Sequence, residues 1–284
     1  MRALIFGAAG MLGADLCAVA PRGTSVVALD AGDADVTDRA QVAAALRDVR
    51  PDWVINAAAY TAVDRDETER SAAEAVNGIA PRYIAEEAAR LGVAVVHFST
   101  DYVFDGTATS PYDESDSVAP VNAYGESKRH GEDAVLASAA HALVLRTQWL
   151  FGRNGTSFPR TMWERATGGL STRVVNDQVG RPTYTRDLAT ATWQLVEQRA
   201  SGIVHATNAG RAATWFDVAR VVFERAGVAS LLSPCATTEY PTPARRPRYT
   251  MLSTKRLESL LPSRLPDWRD ALGRFLDELS PRRS

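Results

Sequence analysis

The sequence carries little net charge, few lysines and cysteines, and no long apolar run. Its formal net charge is -2 over 284 residues, so no strongly basic surface indicates a nucleic-acid partner. The first apolar run, Met1 to Phe6, is too short for a signal sequence, and no later run approaches the length of a membrane span. We therefore expect neither a nucleic acid nor a membrane among its partners.

The two cysteines, Cys17 and Cys235, are far apart and stand in apolar surroundings. Such cysteines are more often buried thiols than a disulfide or a metal site, and those two alternatives stay open. Free thiols fit the reducing conditions of the cytoplasm, which is where we expect the protein to act.

Lysine is scarce in this chain. Of its 32 lysines and arginines, only Lys128 and Lys255 are lysines. An ammonium kept in such a chain indicates a role that a guanidinium does not fill. Lys128 follows Tyr124 by four residues, so both lie on one face of a helix. A tyrosine with a pKa of about 10 is a poor acid at neutral pH, and we expect Lys128 to lower that pKa. A pair of this kind also occurs by chance on many helix surfaces.

Short β-branched runs alternate with helix-length segments along the chain. This alternation is typical of βαβ units around a buried parallel sheet. Helices are predicted over 39–49, 70–91 and 124–138, where they would cover both faces of the sheet. Six strands are predicted, over Ala3–Phe6, Ser25–Leu29, Trp53–Asn56, Val93–Phe98, Ala142–Arg146 and Gly202–His205.

The sequence thus predicts an α/β fold, a doubly wound parallel sheet of the Rossmann type with a smaller C-terminal lobe. Residues 1–150, with returning segments near 174–206, would form the dinucleotide-binding domain. Residues 151–284 would mainly form the lobe that binds the substrate. The segment 234–247 contains four prolines and is not expected to form regular structure. Isolated helices of the lobe are predicted over 185–198, 214–226 and 267–279.

The first predicted strand runs into a glycine-rich loop, Gly7-Ala8-Ala9-Gly10-Met11-Leu12-Gly13, that opens a helix. Glycines permit close approach of the backbone, and the N–H groups at a helix start bind a pyrophosphate. Asp30 ends the second predicted strand, where a carboxylate accepts hydrogen bonds from a ribose and repels a 2′-phosphate. These features predict a dinucleotide site that favours NADH; the alternative is a purely structural strand–helix turn.

Three further segments stand near the ends of predicted strands. Asp35-Val36 and Asn56-Ala57-Ala58-Ala59-Tyr60 would let adenine and ribose lie close to the backbone, although an alanine run alone is equally typical of helix packing. Thr100 and Asp101 follow the fourth strand, at the end where open α/β sheets place their chemistry. Thr100 precedes Tyr124 by 24 residues, which is enough for a loop to return the chain to the same side of the sheet.

With these motifs in place, the sequence resembles the extended short-chain dehydrogenase/reductase superfamily and, within it, the dTDP-4-dehydrorhamnose reductase family. The resemblance covers nearly the whole chain. The segments that match the narrower family are Asn56 to Asp64, Ser99 to Phe104, Arg146 to Trp149, Asn176 to Gln178 with Gly180 and Pro182-Thr183, and Tyr240 to Ala244 with Arg246-Pro247.

The resemblance implies reduction of the C4 ketone of dTDP-4-dehydro-L-rhamnose to dTDP-L-rhamnose, with hydride from a nicotinamide. It implies that Tyr124 donates the proton, that Thr100 orients the ketone where the superfamily usually has Ser, and that Lys128 tunes Tyr124 and holds the nicotinamide ribose. The residues implied to bind the cofactor are Gly7, Gly10, Met11, Leu12, Gly13, Asp30, Asp35, Val36, Ala57, Ala58, Ala59, Tyr60, Thr61, Tyr124 and Lys128. Those implied to bind the dTDP-sugar are Val63, Thr100, Asp101, Tyr124, Trp149 and Arg246.

Members of the family use NADH, NADPH or both. We favour NADH because Ala31-Gly32, directly after Asp30, supplies no cation for a 2′-phosphate. Some members bind Mg²⁺ through glutamates at a dimer interface, but here Asp15 and Arg186-Asp187 stand in the matching regions. We therefore predict no metal site, and we expect either a monomer or a homodimer.

Three other polar residues each have two interpretations. Asn77 either supports a proton relay or, as is more usual for a helical Asn, is satisfied by backbone groups. Arg246 and Arg248 either bind the diphosphate, since a guanidinium pairs well with phosphate oxygens, or are solvated surface residues.

Two other functions stay open. One is a related 4-ketoreductase of a natural-product pathway that acts on a different dTDP-4-keto-6-deoxyhexose. The other is a binding protein, because the fold also resembles the non-catalytic regulatory subunit of methionine adenosyltransferase. The presence of Thr100, Tyr124 and Lys128 argues against that second alternative.

Overall fold

The computed structural model describes residues 1–280. Its twelve strands within that range are β1 (Arg2–Phe6), β2 (Ser25–Leu29), β3 (Trp53–Asn56), β4 (Ala94–Thr100), β5 (Ala142–Thr147), β6 (Leu150–Phe151), β7 (Thr172–Val175), β8 (Val179–Gly180), β9 (Thr183–Tyr184), β10 (Gly202–His205), β11 (Ala213–Thr214) and β12 (Leu232–Cys235). Its eleven α-helices over the same residues are α1 (Met11–Ala18), α2 (Arg39–Val49), α3 (Val63–Asp66), α4 (Arg70–Glu74), α5 (Ala80–Leu91), α6 (Ala123–Ser138), α7 (Phe158–Thr167), α8 (Thr185–Glu197), α9 (Trp215–Arg225), α10 (Lys255–Leu260) and α11 (Trp268–Leu279).

Six strands form one parallel sheet in the order β10-β5-β4-β3-β1-β2. They are the six strands predicted from the sequence, with boundaries that differ by at most two residues. β2 and β3 lie on opposite sides of β1, so the chain extends the sheet first to one side of β1 and then to the other. This reversal opens a crevice at the carboxyl ends of β1 and β3. The predicted doubly wound fold is confirmed.

Each face of the sheet has its own hydrophobic core, because successive strand residues point to opposite faces. Ile5 and Leu145 pack on one face with α1, α8 and α10. Leu4 and Val95 pack on the other face with α2 and α5. All four side chains are fully buried. Because both faces of the sheet are covered in this way, its central strands appear in the sequence as nearly continuous apolar runs.

A third hydrophobic core lies in the C-terminal lobe. Phe151, Tyr184, Phe223, Trp268 and Phe275 are all buried in it. The core packs α7, α9 and α11 together with the short strands β6 and β9. The three helices predicted for the lobe form as α8, α9 and α11, but α8 packs with α1 on the parallel sheet rather than in the lobe core. The division into two domains stays a prediction.

Two local predictions need correction. The helix predicted over 70–91 contains a π-helical turn, Ala75–Ile79, between α4 and α5. The segment 234–247 was expected to be irregular, yet it starts inside β12, where Pro234 pairs with Val174 of β7. Proline is tolerated there because β12 is an edge strand. No helix within residues 1–280 is both long and apolar enough to cross a membrane.

Candidate active site

Helix α6 brings Tyr124 and Lys128 to the carboxyl end of β4. The helix starts at Asn122, whose side-chain oxygen accepts a hydrogen bond from the N–H of Gly125 at 2.8 Å. A Cβ added to Gly125 would lie 2.1 Å from the carbonyl oxygen of Tyr102. The glycine after Tyr124 therefore lets the first turn of α6 pack directly on the chain that leaves β4.

Thr100, the last residue of β4, lies beside Tyr124. Its hydroxyl donates to Oδ1 of Asp101 at 3.1 Å and accepts the N–H of Tyr102 at 3.2 Å. Burial raises the pKa of Tyr124, the carboxylate of Asp101 raises it further, and the side chain of Thr100 opposes the rise. The phenol therefore keeps its proton at neutral pH, which is the form that a proton donor requires.

Lys128 is buried one helical turn after Tyr124. Its ammonium donates a hydrogen bond to the backbone carbonyl of Phe98 at 2.6 Å. Burial lowers the pKa of Lys128 to about 8, and the carboxylate of Glu132 opposes that change. Whether Lys128 lowers the pKa of Tyr124 stays a prediction, because other groups set the net direction of this pKa. Desolvation of the phenol and the charge of Asp101 dominate, and the pKa of Tyr124 is raised.

Asp101 is held by a side chain that the sequence analysis missed. Nε2 of Gln148 donates to Oδ2 of Asp101 at 3.3 Å and to the backbone oxygen of Thr250 at 2.8 Å. Burial raises the pKa of Asp101 to about 6, while the side chains of Thr250, Gln148 and Thr100 oppose the rise. The position of Gln148 directly before Trp149 was the only available signal for this role.

Asp66, at the end of α3, is a second buried carboxyl group near Tyr124. It is fully buried, and neither of its oxygens has a hydrogen-bond partner among residues 1–280. Burial raises its pKa to about 6, and the charges of Glu67 and Glu69 add to the effect. Its own charge also raises the pKa of Tyr124. The sequence analysis did not single out this residue.

The glycine loop after β1 has the shape that a pyrophosphate requires. Gly7 has φ +74°, and a Cβ added there would lie 2.6 Å from the backbone nitrogen of Ala58. A Cβ on Gly13 would lie 2.1 Å from the carbonyl oxygen of Gly7. Gly10 precedes α1 without a side-chain cap, so the first N–H groups of the helix can bind an anion. The loop fits the diphosphate of a dinucleotide.

The turn after β2 carries two carboxylates. The N–H of Asp30 donates to Oδ2 of Asp33 at 2.9 Å. The next arginine in the sequence, Arg39, forms ion pairs with Glu86 at 2.8 Å and Glu87 at 2.9 Å. This turn is therefore more acidic than Asp30 alone indicated.

Asp35 lies in a local turn before α2. Its Oδ1 accepts hydrogen bonds from the N–H and the hydroxyl of Thr37 at 2.8 and 2.7 Å. Its backbone N–H donates to the side chain of Gln41 at 2.9 Å. These bonds fix the loop that contains Val36, and contact of either residue with a cofactor stays a prediction.

Asn77 ties the predicted cofactor loop to α6. Its Oδ1 accepts the N–H of Tyr60 at 2.9 Å, and its Nδ2 donates to the carbonyl of Tyr60 at 2.9 Å and to the hydroxyl of Ser127 at 3.1 Å. The backbone-satisfied interpretation of Asn77 is therefore confirmed, although the backbone belongs to another segment. The π-helical turn holds this side chain in place.

A row of side chains links Tyr124 to the Pro- and Arg-rich loop. Tyr124 meets Tyr102 edge to face at 5.8 Å between ring centroids. The guanidinium of Arg246 lies 6.0 Å from the ring centroid of Tyr102 and 2.9 Å from Oδ1 of Asp64. A cavity of about 340 Å³ continues beyond Arg246, lined by Asp105, Thr107, Tyr240, Arg245 and Arg248 among others.

Val63 and Trp149 lie on separate elements that the sequence could only place near the site. Val63 is partly buried at the start of α3. Trp149 follows β5 and stacks on Trp215, a residue of the lobe. Contact of Val63 or Trp149 with a sugar stays a prediction.

Comparison with known proteins decides the family. The family model described as "RmlD substrate binding domain" matches residues 1–280. The chain belongs to this family. The RmlD-like relatives include a dTDP-4-dehydrorhamnose reductase from Mycolicibacterium smegmatis, 43% identical over 95% of this chain and 84% of that protein. A probable dTDP-4,6-dihydroxy-2-methyloxan-3-one 4-ketoreductase from Streptomyces antibioticus is 46% identical over 96% of this chain and 93% of that protein.

Solved structures agree with this RmlD assignment. A dTDP-4-dehydrorhamnose reductase from Bacillus anthracis, in complex with NADP, superposes with a TM-score of 0.94 at 34% identity. The match covers 98% of this chain and 99% of that one. The predicted resemblance, the Rossmann-type fold and the oxidoreductase class are confirmed.

Asp15 and Asp187 stand in the regions where some RmlD relatives are implied to bind Mg²⁺, and both carboxylates pair with groups of this chain. Oδ2 of Asp15 accepts the hydroxyl of Thr185 at 2.5 Å. The guanidinium groups of Arg186 and Arg153 lower the pKa of Asp15, although burial outweighs them. Within residues 1–280, no group of three or more His, Cys, Asp or Glu side chains could hold a metal ion. We derive no step through a metal.

Proposed function

We propose that this chain reduces the C4 ketone of dTDP-4-dehydro-L-rhamnose to dTDP-L-rhamnose with NADH or NADPH. The observation that carries the proposal is the phenol of Tyr124, placed beside Thr100 at the carboxyl end of β4 and one helical turn before Lys128. Near-full-length relatives named dTDP-4-dehydrorhamnose reductase support the same substrate. We expect the enzyme to act in the cytoplasm as a monomer or a homodimer.

Tyr124 and Thr100 would act on the oxygen of the ketone. The nicotinamide, when bound, supplies the hydride. Tyr124 is protonated at neutral pH, and it donates its proton as charge develops on the oxygen, because an alkoxide is a stronger base than a phenolate. The Thr100 hydroxyl, which donates to Asp101 at 3.1 Å, can turn towards the same oxygen. A donor oriented in this way stabilises the developing alkoxide.

Lys128 would hold the nicotinamide ribose. Its ammonium makes one hydrogen bond, to the carbonyl of Phe98, and has two further N–H groups for ribose hydroxyls. A pKa of about 8 keeps the group charged at neutral pH. This is one of the two roles that the family resemblance implies for Lys128; the other is the electrostatic effect on Tyr124.

The Pro- and Arg-rich loop would bind the nucleotide diphosphate. Arg246 and Arg248 line the cavity of about 340 Å³, and Arg246 connects it to Tyr124 through Tyr102. Guanidinium groups pair with phosphate oxygens in two-pronged geometry. The sugar would then extend from the cavity towards Tyr124 and Trp149.

We favour NADH over NADPH. Asp30 and Asp33 share one turn at the end of β2, and two carboxylates there would repel a 2′-phosphate. The relative from Bacillus anthracis was solved with NADP, which supports use of NADPH as a second cofactor.

A different dTDP-4-keto sugar is the second candidate substrate. The Streptomyces antibioticus relative, a probable 4-ketoreductase of another dTDP-sugar, is as similar to this chain as the rhamnose-forming relatives are. Overall identity therefore does not separate the two substrates.

A substrate panel tests the function. The purified protein is supplied with NADH or NADPH and with several dTDP-4-keto-6-deoxyhexoses, and the products are identified by chromatography and mass spectrometry. We expect dTDP-4-dehydro-L-rhamnose to be reduced with the highest kcat/KM. Turnover of another sugar without turnover of this one would overturn the rhamnose assignment, and no turnover of any sugar would overturn the reductase function.

A further inference from the structure

Trp149 has an unusual backbone conformation. Its φ is +48°, a left-handed value that bulky residues avoid. Two other non-glycine residues within 1–280 have a positive φ, Arg50 and Arg199. Arg50 directly follows α2 and Arg199 stands just after α8, and a left-handed residue is common at the end of a helix. Trp149 lies instead between β5 and β6. Such strain persists only where the surrounding structure over-determines it.

The indole of Trp149 is fixed by two neighbours. It stacks on Trp215, with ring centroids 3.7 Å apart and planes inclined by 14°. A Cβ added to Gly180 would lie 2.8 Å from Cε2 and Cζ2 of the same indole. Trp215 therefore covers one face of the ring, and only a residue without a side chain fits at position 180.

Trp215 is itself anchored. Its Nε1 donates to Oε1 of Gln178 at 3.2 Å, and Nε2 of Gln178 donates to the hydroxyl of Thr237 at 3.0 Å. Phe158 meets the ring of Trp215 edge to face at 4.7 Å between centroids. Thr237 lines the cavity that also contains Arg246. The stacked pair is thus connected to the proposed diphosphate site.

We propose that Trp215 is a positioning residue, which fixes Trp149 so that one indole face receives the deoxysugar ring opposite Tyr124. The inference rests on the proposed function, since it assigns the sugar to Trp149. The C–H face of a sugar and the methyl group of a 6-deoxyhexose pack favourably on an aromatic ring. With one face covered by Trp215, only the opposite face of the indole can receive the sugar. Trp215 would therefore act on the binding of the sugar and not on the cofactor.

Three variants test the inference. Trp215→Leu removes the stack, Trp215→Phe keeps an aromatic ring on Trp149 but loses the hydrogen bond to Gln178, and Trp163→Leu is the matched control. Trp163 packs against the same hydrophobic core as Trp215 but is not part of the stack. Thermal melting and the Kd for NADH establish that each variant is folded and binds cofactor.

The expected result is a change in KM for the dTDP-sugar. Loss of the stacking energy of the aromatic pair should raise KM about 10-fold in Trp215→Leu. Trp215→Phe keeps part of that energy and should raise KM less than about 3-fold. The Kd for NADH should stay unchanged in both. Two stacked indoles also produce an exciton couplet in circular dichroism, so Trp149→Phe and Trp215→Leu should lose the same band. Trp163→Leu should keep both the band and the wild-type KM.

Each outcome decides one claim. A wild-type protein that reduces a dTDP-4-keto sugar, together with a folded Trp215→Leu variant of unchanged KM and kcat, overturns the inference alone. A wild-type protein that reduces no such sugar overturns the proposed function, and the inference with it. If Trp215→Leu does not fold, Gln178→Met decides instead. That variant removes the acceptor of Trp215 and should raise KM for the sugar about 3-fold, and an unchanged KM overturns the inference.

Discussion

The ammonium of Lys128 lies 2.6 Å from the backbone carbonyl oxygen of Phe98. This bond fixes Lys128 beneath the carboxyl end of β4, where we propose that its remaining N–H groups hold the nicotinamide ribose. We predict that Lys128→Met weakens NADH binding about 10-fold or more and also lowers kcat, because a hydrogen bond from a charged donor is lost. Fluorescence titration with NADH and steady-state rates measure the two effects. A fall in kcat with unchanged NADH binding would contradict the assignment.

The pH dependence of the reaction should report the same ammonium. Burial lowers the pKa of Lys128 to about 8, so the charge is lost as pH rises through that value. We expect kcat/KM of the wild type to fall above pH 8, since kcat/KM reports groups of the free enzyme. Lys128→Arg, whose guanidinium stays charged, should not show that decline. An identical decline in wild type and Lys128→Arg would assign it to another group.

Cofactor choice should depend on the acidic turn after β2. We propose that the carboxylate of Asp30 faces the adenosine ribose. Its removal would relieve repulsion of a 2′-phosphate, so Asp30→Ser should raise the NADPH/NADH ratio of kcat/KM about 10-fold. Asp33→Ser is the matched comparison, because Asp33 accepts the N–H of Asp30 at 2.9 Å and should change the ratio less. Equal ratios in wild type and Asp30→Ser would sink this account of the preference.

Asp66 should make stability depend on pH. Its pKa is raised to about 6 by burial, so the folded protein holds the proton more tightly than the unfolded chain. The stability contributed by this proton is fully present below about pH 3.8, is lost as pH rises from there to about 6, and stays lost above that. The side chain of Asp66→Asn does not ionise, so the variant does not lose this stability. The melting temperature of the variant minus that of wild type should therefore rise by several degrees between pH 5 and pH 7.5. A difference that does not change with pH would show that Asp66 ionises freely.

The buried ion pair of Glu132 and Arg146 should matter for stability. Both side chains are at most 2% exposed, and they form two hydrogen bonds of 2.8 Å. Glu132→Gln leaves the guanidinium buried without a counter-charge, and it should lower the free energy of unfolding by about 3–5 kcal/mol. Glu86→Gln breaks partly exposed pairs with Arg39 and Arg82 and should cost about 1 kcal/mol or less. Urea denaturation measures both; comparable losses in the two variants would refute the distinction.

Local patterns in the sequence predicted most of the fold. The central strands β1, β3, β4 and β5 appear as short apolar runs because both of their faces are covered, whereas the edge strands β2 and β10 are only partly buried. Helix α2 matched its predicted bounds because Asp38 caps its first turn, accepting the N–H of Ala40 at 2.8 Å. The π-helical turn at Ala75–Ile79 was missed because its cause is distant. Asn77 binds Tyr60, 17 residues away, and no local period records that contact.

The site was only partly predictable for the same reason. Thr100, Tyr124 and Lys128 were found because a four-residue spacing and a strand end are local signals. The stack of Trp149 on Trp215 joins residues far apart in the sequence, and Gly180 is needed there because a side chain at position 180 would collide with the indole of Trp149. The raised pKa of Tyr124 depends on burial and on Asp66 and Asp101. Neither feature has a signature in the sequence near the residues concerned.

Hydride transfer to the sugar is the most direct test of the central claim. The protein is incubated with NADH deuterated at the reactive C4 position and dTDP-4-dehydro-L-rhamnose, and the product is analysed by mass spectrometry and NMR. We predict one deuterium at C4 of dTDP-L-rhamnose with the wild type. Tyr124→Phe, which loses the proton donor, should form the product about 10²- to 10⁴-fold more slowly while it binds NADH normally. Absence of deuterium at C4, or a Tyr124→Phe variant as fast as wild type, would contradict the account.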